Sequence, residues 1–186
     1  MKDLNKRALR TLICVISVIA LVFLDQIAKN WAVLTLKDKD PIVLIKNTLE
    51  LYYLPNGNTG AAFGLLQGHQ SLFLIIATLV CAILFLIIYV MPFGNRYIPA
   101  IVVMTFIIAG GFGNMIDRIQ LNYVIDFIYF CLIDFPIFNV ADMYVSVSTV
   151  VLVIIVLFYY KDEDFYKLEQ SFRTIFHLKP KNEKSE

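Results

Sequence analysis

The chain has 186 residues, 59% of them hydrophobic and 17% charged, with a mean hydropathy of +0.73. No water-soluble domain hides that much apolar surface, so the composition indicates an all-α integral membrane protein, and a net charge of +1 gives no basic field for nucleic acid. Three scattered cysteines, Cys14, Cys81 and Cys131, offer neither a disulfide framework nor a metal-ligand spacing, and no cofactor or metal is expected.

A hydrocarbon core of about 30 Å takes roughly 20 helical residues to cross. In chain order, four stretches reach that length, at about 10–29, 70–91, 97–117 and 140–160. The first follows a basic start and has the layout of a signal peptide. No small-x-small cleavage site precedes Asp25 and Lys29, however, so it reads as a retained anchor. Next, "PIVLIKNTLELYYLPN", rich in strand formers and broken at Lys46-Asn47, predicts a short hairpin on the membrane surface. An interfacial loop anchored by Tyr52 and Tyr53 is the alternative.

The second span is the clearest, because Leu51 to Asn95 contains no Asp, Glu, Lys or Arg. The third carries "AGGFGN" at 109–114, which lacks the Lys-Ser/Thr of a phosphate loop and predicts close helix packing. Beyond the fourth span, "KDEDFYKLEQSFRTIFHLKPKNEKSE" predicts a surface helix ending in disorder. The organisation is one four-helix membrane domain over 1–160 and a tail over 161–186.

Basic residues near span ends stay cytoplasmic. The N-terminal tail (Lys2, Lys6, Arg7, Arg10), Arg96 and the C-terminal tail (Lys161, Lys167, Arg173, Lys179, Lys181, Lys184) hold eleven of the sixteen Lys and Arg. Both termini are therefore expected inside, with connections 30–69 and 118–139 outside.

On that topology the polar residues gather at the outer ends of the spans. Asp25 and Lys29 close the first, Asn56, Asn58 and Thr59 precede the second, Asn114, Asp117 and Arg118 close the third, and Asn139 and Asp142 open the fourth. Ionisable groups at membrane depth are costly and mark functional positions. Asp25 and Lys29, four apart, also suit an ion pair on one helix face. Asn139 suits an N-cap with Asp142 in the first turn. Asp126, flanked by "YVI" and "FIYF", has no local cation and needs a partner from elsewhere.

If Asp126 and Asp142 converge, one proton is shared, and the pair holds a base and an acid able to activate water against an amide. Other peptidase chemistries are poorly supplied: no HExxH pair or G-x-S-x-G turn is present, and nothing in the sequence orients Cys131 and His69.

"LDQIAK" (24–29), "NTGAAFG" (58–64), "GGFGNMIDR" (110–118), "VIDF" (124–127) and "FNVAD" (138–142) together resemble, in order and spacing, the motifs of the bacterial lipoprotein signal peptidases, signal peptidase II. The resemblance covers roughly 10–160. It implies four transmembrane helices with a small extracytoplasmic β-hairpin or cradle, and an aspartic endopeptidase of the bacterial cytoplasmic membrane. It implies cleavage before the diacylglyceryl-modified cysteine of a prolipoprotein, with membrane lipid as surroundings and a monomer as the working unit. By the same resemblance the dyad falls on Asp126 and Asp142, and the supporting residues on Asp25, Lys29, Asn58, Asn114, Arg118 and Asn139. Asp117 has a structural role and Asp134 matches nothing. Met143 stands where the family usually has Ser, and Gly64 where Ser is also common.

Two rival readings remain. A small transporter or channel is opposed by the gathering of polar groups at one face. A scaffold whose carboxylates only cap helices would tolerate Asp→Asn substitution at both dyad positions.

Overall fold

A computed structural model of the chain describes residues 2–60 and 70–179. Its elements are α1 (Lys2–Leu36), β1 (Ile42–Ile45), β2 (Leu49–Leu51), α2 (Gln70–Val90), α3 (Ile98–Leu121), β3 (Ile128–Tyr129), α4 (Val140–Ile154, continued by a π turn Ile155–Tyr159) and α5 (Asp162–Ile175). Four helices are long and apolar enough to cross a membrane, Asp3–Leu36, Gln70–Val90, Asn95–Leu121 and Val140–Tyr159. The chain is a multi-pass membrane protein with a small antiparallel sheet, as its composition indicates.

α3 is the central helix and packs against α1, α2 and α4. Its small residues permit this, since a Cβ on Gly110 would collide with the Ala141 carbonyl and lie 2.7 Å from a Val145 methyl, and one on Gly113 would lie 2.6 Å from Asp25 Oδ2. The "AGGFGN" run is thus a packing surface.

The first helix does not close at Lys29. It continues to Leu36 because Ala32 and Leu36 are buried against Tyr53, Ile125 and Phe127 of the outer connections, which give its last turns an apolar partner. Asp25 and Lys29 therefore lie inside the helix. Tyr53, read as a possible membrane anchor, is 7% exposed within that same cluster.

The hairpin is present. β1 and β2 pair antiparallel with a register shift at Val43/Ile45, and Asn47 takes a left-handed φ of 55° in the turn. A third strand joins it, with Leu51 opposite Ile128 and Glu50 opposite Tyr129. The chain from Tyr52 to Asn58 then runs along 124–127, through Tyr52 N–H to Phe127 O (2.9 Å), Leu54 N–H to Asp126 O (3.0 Å) and reciprocal Asn58–Val124 bonds of 2.9 Å. Ile128 and Phe138 also exchange bonds of 2.8 and 3.0 Å, so the connection after Asp126 doubles back and delivers Asp142 beside it. Gly64 and His69 lie outside the described residues.

At the far end of the bundle the carbonyls closing α2 are capped by distant side chains. Arg10 Nη2 and Arg7 Nη1 donate to Tyr89 O at 2.8 and 2.9 Å, and Ser171 Oγ of α5 donates to Val90 O at 2.6 Å. Arg96 bonds Asp164 at 2.7 Å, holding that carboxyl down at about 2 through its hydrogen bond. The tail is a docked helix over the residues described.

Candidate active site

The site grows from the start of α4. Asn139 has extended backbone (φ −130°, ψ −177°) and its side chain accepts from Asp142 N–H, while Asp142 Oδ2 accepts from Asn139 N–H at 3.1 Å. This reciprocal cap satisfies two orphan donors of the helix end. The amide of Asn139 reaches further, donating to Asp126 Oδ1 at 2.7 Å and to Asn114 Oδ1 at 3.1 Å. One buried side chain thus joins the helix start that bears Asp142 to the extended segment before β3 that bears Asp126.

Asp126, 1% exposed, accepts on its other oxygen from Asn58 Nδ2 at 2.9 Å. Asn58 is held by an Asx turn in which Gly60 N–H donates to its Oδ1 at 2.9 Å. Asp142 Oδ1 accepts from Asn114 Nδ2 at 2.8 Å. Removal from water, and second the nearby charge of Asp142, push the Asp126 carboxyl up to about 7, against the amides of Asn58 and Asn139.

Beneath this pair lies a second tier. Lys29, 1% exposed, donates to Asp25 Oδ2 and Asp117 Oδ2, each at 2.9 Å, and to Asn114 Oδ1 at 3.0 Å, which uses all three ammonium protons. Asp25 Oδ1 accepts from Ala141 N–H at 2.9 Å, and Asp117 Oδ2 from Ile125 N–H at 3.1 Å. Each acid holds the backbone amide immediately before one of the two upper aspartates. Gln26, which the sequence reading passed over, bridges the acids, donating to Asp117 Oδ1 at 2.9 Å and Asp25 Oδ2 at 3.3 Å. Its place inside "LDQIAK" was the available signal.

A pocket of about 510 Å³ opens beside Asp142, with Asn58, Asn114 and Arg118 at its polar end and Phe135, Pro136, Phe138 and Val147 among its apolar walls. Asp126 lies behind this lining, reached through Asn58 and Asn139. Arg118 donates to Asn114 O and Gly60 O at 3.2 Å each and stacks on Phe73. Its buried Nε–H has no acceptor among the described residues. Met143 also lines the pocket. Asp134 stands apart, exposed and bonded by the Tyr129 hydroxyl at 2.6 Å. Asn56 faces a different cleft, beside Tyr52 and Tyr123.

Helices of membrane-spanning length, a carboxylate-bearing pocket at one end and an antiparallel cradle define a polytopic membrane protein of an enzyme-like kind. The comparisons narrow this. Residues 17–158 match the model of the family described as signal peptidase (SPase) II. A lipoprotein signal peptidase of Clostridium tetani is 42% identical over 148 residues, covering 77% of this chain and 91% of that protein. One from Streptococcus pyogenes is 40% identical over 151 residues, covering 81% and 95%. A solved bacterial membrane enzyme superposes with a TM-score of 0.69 at 28% identity, covering 80% of this chain and 92% of its own. The chain belongs to the signal peptidase II family, and it is a peptidase by that membership.

The lower tier makes a stability prediction. Removing one partner of a buried ion network leaves uncompensated charge and costs about 3–5 kcal/mol. Lys29→Met should sharply lower the thermal midpoint in detergent, and adding Asp25→Asn, which can still accept from Ala141, should recover part of the loss. Thermal unfolding of the single and double variants checks this. A double variant less stable than the single would mean that the carboxylates do not depend on Lys29.

Proposed function

We propose that the chain is an aspartic endopeptidase that removes the signal peptide of a prolipoprotein by hydrolysing the bond before its diacylglyceryl-modified cysteine. The observation that carries this is Asn139, whose one side chain caps Asp142 and binds Asp126, so that the pocket-lining Asp142 and the buried Asp126 behind it belong to one hydrogen-bonded unit.

In this reading Asp142, at a helix N-terminus and accepting from Asn114, begins ionised and takes a proton from water as the water attacks the scissile carbonyl carbon. Asp126, buried and carrying its proton up to about 7, gives that proton to the carbonyl oxygen. The tetrahedral intermediate then collapses, the C–N bond breaks, and Asp142 returns its proton to the leaving nitrogen. The hydroxyl proton goes back to Asp126, which restores the pair. Arg118, which lines the pocket and commits one N–H of each Nη to a backbone carbonyl, is a fixed donor to substrate backbone through its remaining guanidinium protons. The apolar walls suit a substrate whose lipid chains hold its cysteine at membrane depth.

The basic residues clustered at the termini favour an orientation with both termini cytoplasmic and the dyad at the outer leaflet of the bacterial cytoplasmic membrane. The working unit is taken as a monomer. Cysteine introduced at Asn47 should react with impermeant reagents added outside intact cells, and reaction only after permeabilisation would reverse the orientation.

Asp126→Asn and Asp142→Asn should each cost roughly several powers of ten in turnover on a lipidated precursor, with the double variant hardly worse than either single. Asp134→Asn should be nearly neutral. An active Asp126→Asn beside a dead Asp134→Asn would remove the dyad, and normal activity in both dyad variants would favour a scaffold. The pH profile is a separate check. The acid form of Asp126 is present below about 7 and lost above it, so kcat/KM should fall on the alkaline side by about tenfold per pH unit. A rate flat to high pH would show that this proton is not used.

A further inference from the structure

At the end of the bundle opposite the dyad, three cations crowd one aromatic ring. Lys6 Nζ lies 5.7 Å from the centre of the Phe93 ring, Arg7 Cζ 4.9 Å and Arg10 Cζ 5.2 Å. α1 supplies all three, because residues 6, 7 and 10 share one face of a helix. Phe93, 41% exposed, stands in the connection between α2 and α3. A ring quadrupole attracts cations without neutralising them.

The charge is not balanced nearby. None of the ion pairs among the described residues involves Lys6, Arg7 or Arg10. Glu169 of α5 is paired with Arg173. Arg7 and Arg10 instead bond the carbonyls of Tyr89, Met91 and Pro92, where the end of α2 carries a partial charge of about −0.5. Three cations against that end leave an excess of about +2.5. Donors are left as well. Arg10 gives one proton from each Nη to a carbonyl and keeps the other, and Lys6 donates no hydrogen bond among the described residues.

The same helix face continues into the membrane. Leu9, Ile13 and Ile16 follow Lys6 at i+3, i+7 and i+10, and each is more than half exposed. They belong to a helix long and apolar enough to cross a membrane, so this stripe meets acyl chains. Cations at the boundary with an apolar stripe directly beneath them match a phosphate followed by a hydrocarbon chain. A soluble anion would use the cations and leave the stripe uncovered, and the excess positive charge favours a lipid with net negative charge over a zwitterionic one.

We propose that Lys6, Arg7 and Arg10 hold the headgroup of one anionic phospholipid of this leaflet, with an acyl chain lying along Leu9, Ile13 and Ile16. The three cations precede residues 17–158 that match the family, and the site stands whether or not the chain cleaves prolipoproteins.

The test titrates the full chain in mild detergent with dioleoyl phosphatidylglycerol and, separately, with dioleoyl phosphatidylcholine, and native mass spectrometry counts the lipid retained. Wild type should hold one phosphatidylglycerol at a concentration about tenfold lower than phosphatidylcholine requires. Lys6 is exposed and takes no part in capping α2, so Lys6→Ala removes charge without disturbing that cap. It should weaken retention about fivefold and Lys6→Glu about twenty-fivefold, since each unit of charge counts for about a factor of five. Lys46→Ala, in the hairpin turn at the other end, should leave retention unchanged. Glycerol phosphate, which offers the anion without the chain, should not displace the lipid at equal concentration. Displacement would mean an anion site alone and overturns the lipid assignment. Equal retention of the two lipids, or equal losses in Lys6→Ala and Lys46→Ala, overturns it too, because either would describe the lipid around any span.

Discussion

One ammonium group organises the end of this protein that holds Asp126 and Asp142. Lys29 has three protons and three acceptors, Asp25, Asp117 and Asn114, in a place water does not reach. Buried ion networks of this kind add little net stability over a well-packed apolar core, because the desolvation of each charge offsets most of the attraction. Their contribution is registry. With Lys29 in place, Asp25 holds the amide of Ala141 and Asp117 holds the amide of Ile125, so α1 and α3 fix the two backbones that carry Asp142 and Asp126. The upper carboxylates are positioned from below by their main chains and from the side by the amides of Asn58, Asn114 and Asn139.

That arrangement depends on packing elsewhere. Asp25 can reach α4 only because Gly113 has no side chain, and α4 can approach only because Gly110 has none. The cradle contributes by making the connection after Asp126 reverse at the Ile128–Phe138 bridge, and by giving α1 a wall to climb past the polar tier. The two ends of the bundle are built differently. Near Asp126 and Asp142 the polar groups are buried and, Arg118 Nε apart, joined to one another, whereas at the termini long basic side chains reach across to cap helix carbonyls and to hold α5.

Much of this was legible in the sequence, for identifiable reasons. Four apolar runs of spanning length announce four helices. The Lys46-Asn47 break marks a turn, and Asn139 with Asp142 three residues on is a local capping pattern. The close approach at "AGGFGN" follows from residue size alone. What was hidden is non-local. β3 is two residues long and exists only because β2 offers it an edge. The last turns of α1 persist because Tyr53, Ile125 and Phe127 cover them, which also places Tyr53, a surface anchor in the alternative reading, in the core. The ion pair of Asp25 and Lys29 could be read from their spacing, but not that both would sink to full burial, nor that Asp25 would grip an amide of the fourth helix. Asp117 carried a structural expectation without a partner, and Gln26 carried none.

The π turn at Ile155–Tyr159 has a consequence of phase. A turn closed by i→i+5 bonding accommodates one residue more than the α-helix around it, and each helical residue advances about 100°. Everything C-terminal to that turn is therefore rotated by about that angle relative to a continuous α4. Tyr160 N–H still bonds Ile155 O, at 3.1 Å, and the Tyr159 carbonyl meets Arg96 at 2.7 Å, both in the rotated frame. A chain one residue shorter here, with a plain α-helical turn, would keep its four spans and its polar site but swing the exit of the fourth span away from Arg96. The orientation of the tail helix is thus encoded by a single extra residue in the membrane, as a gear is set by one tooth.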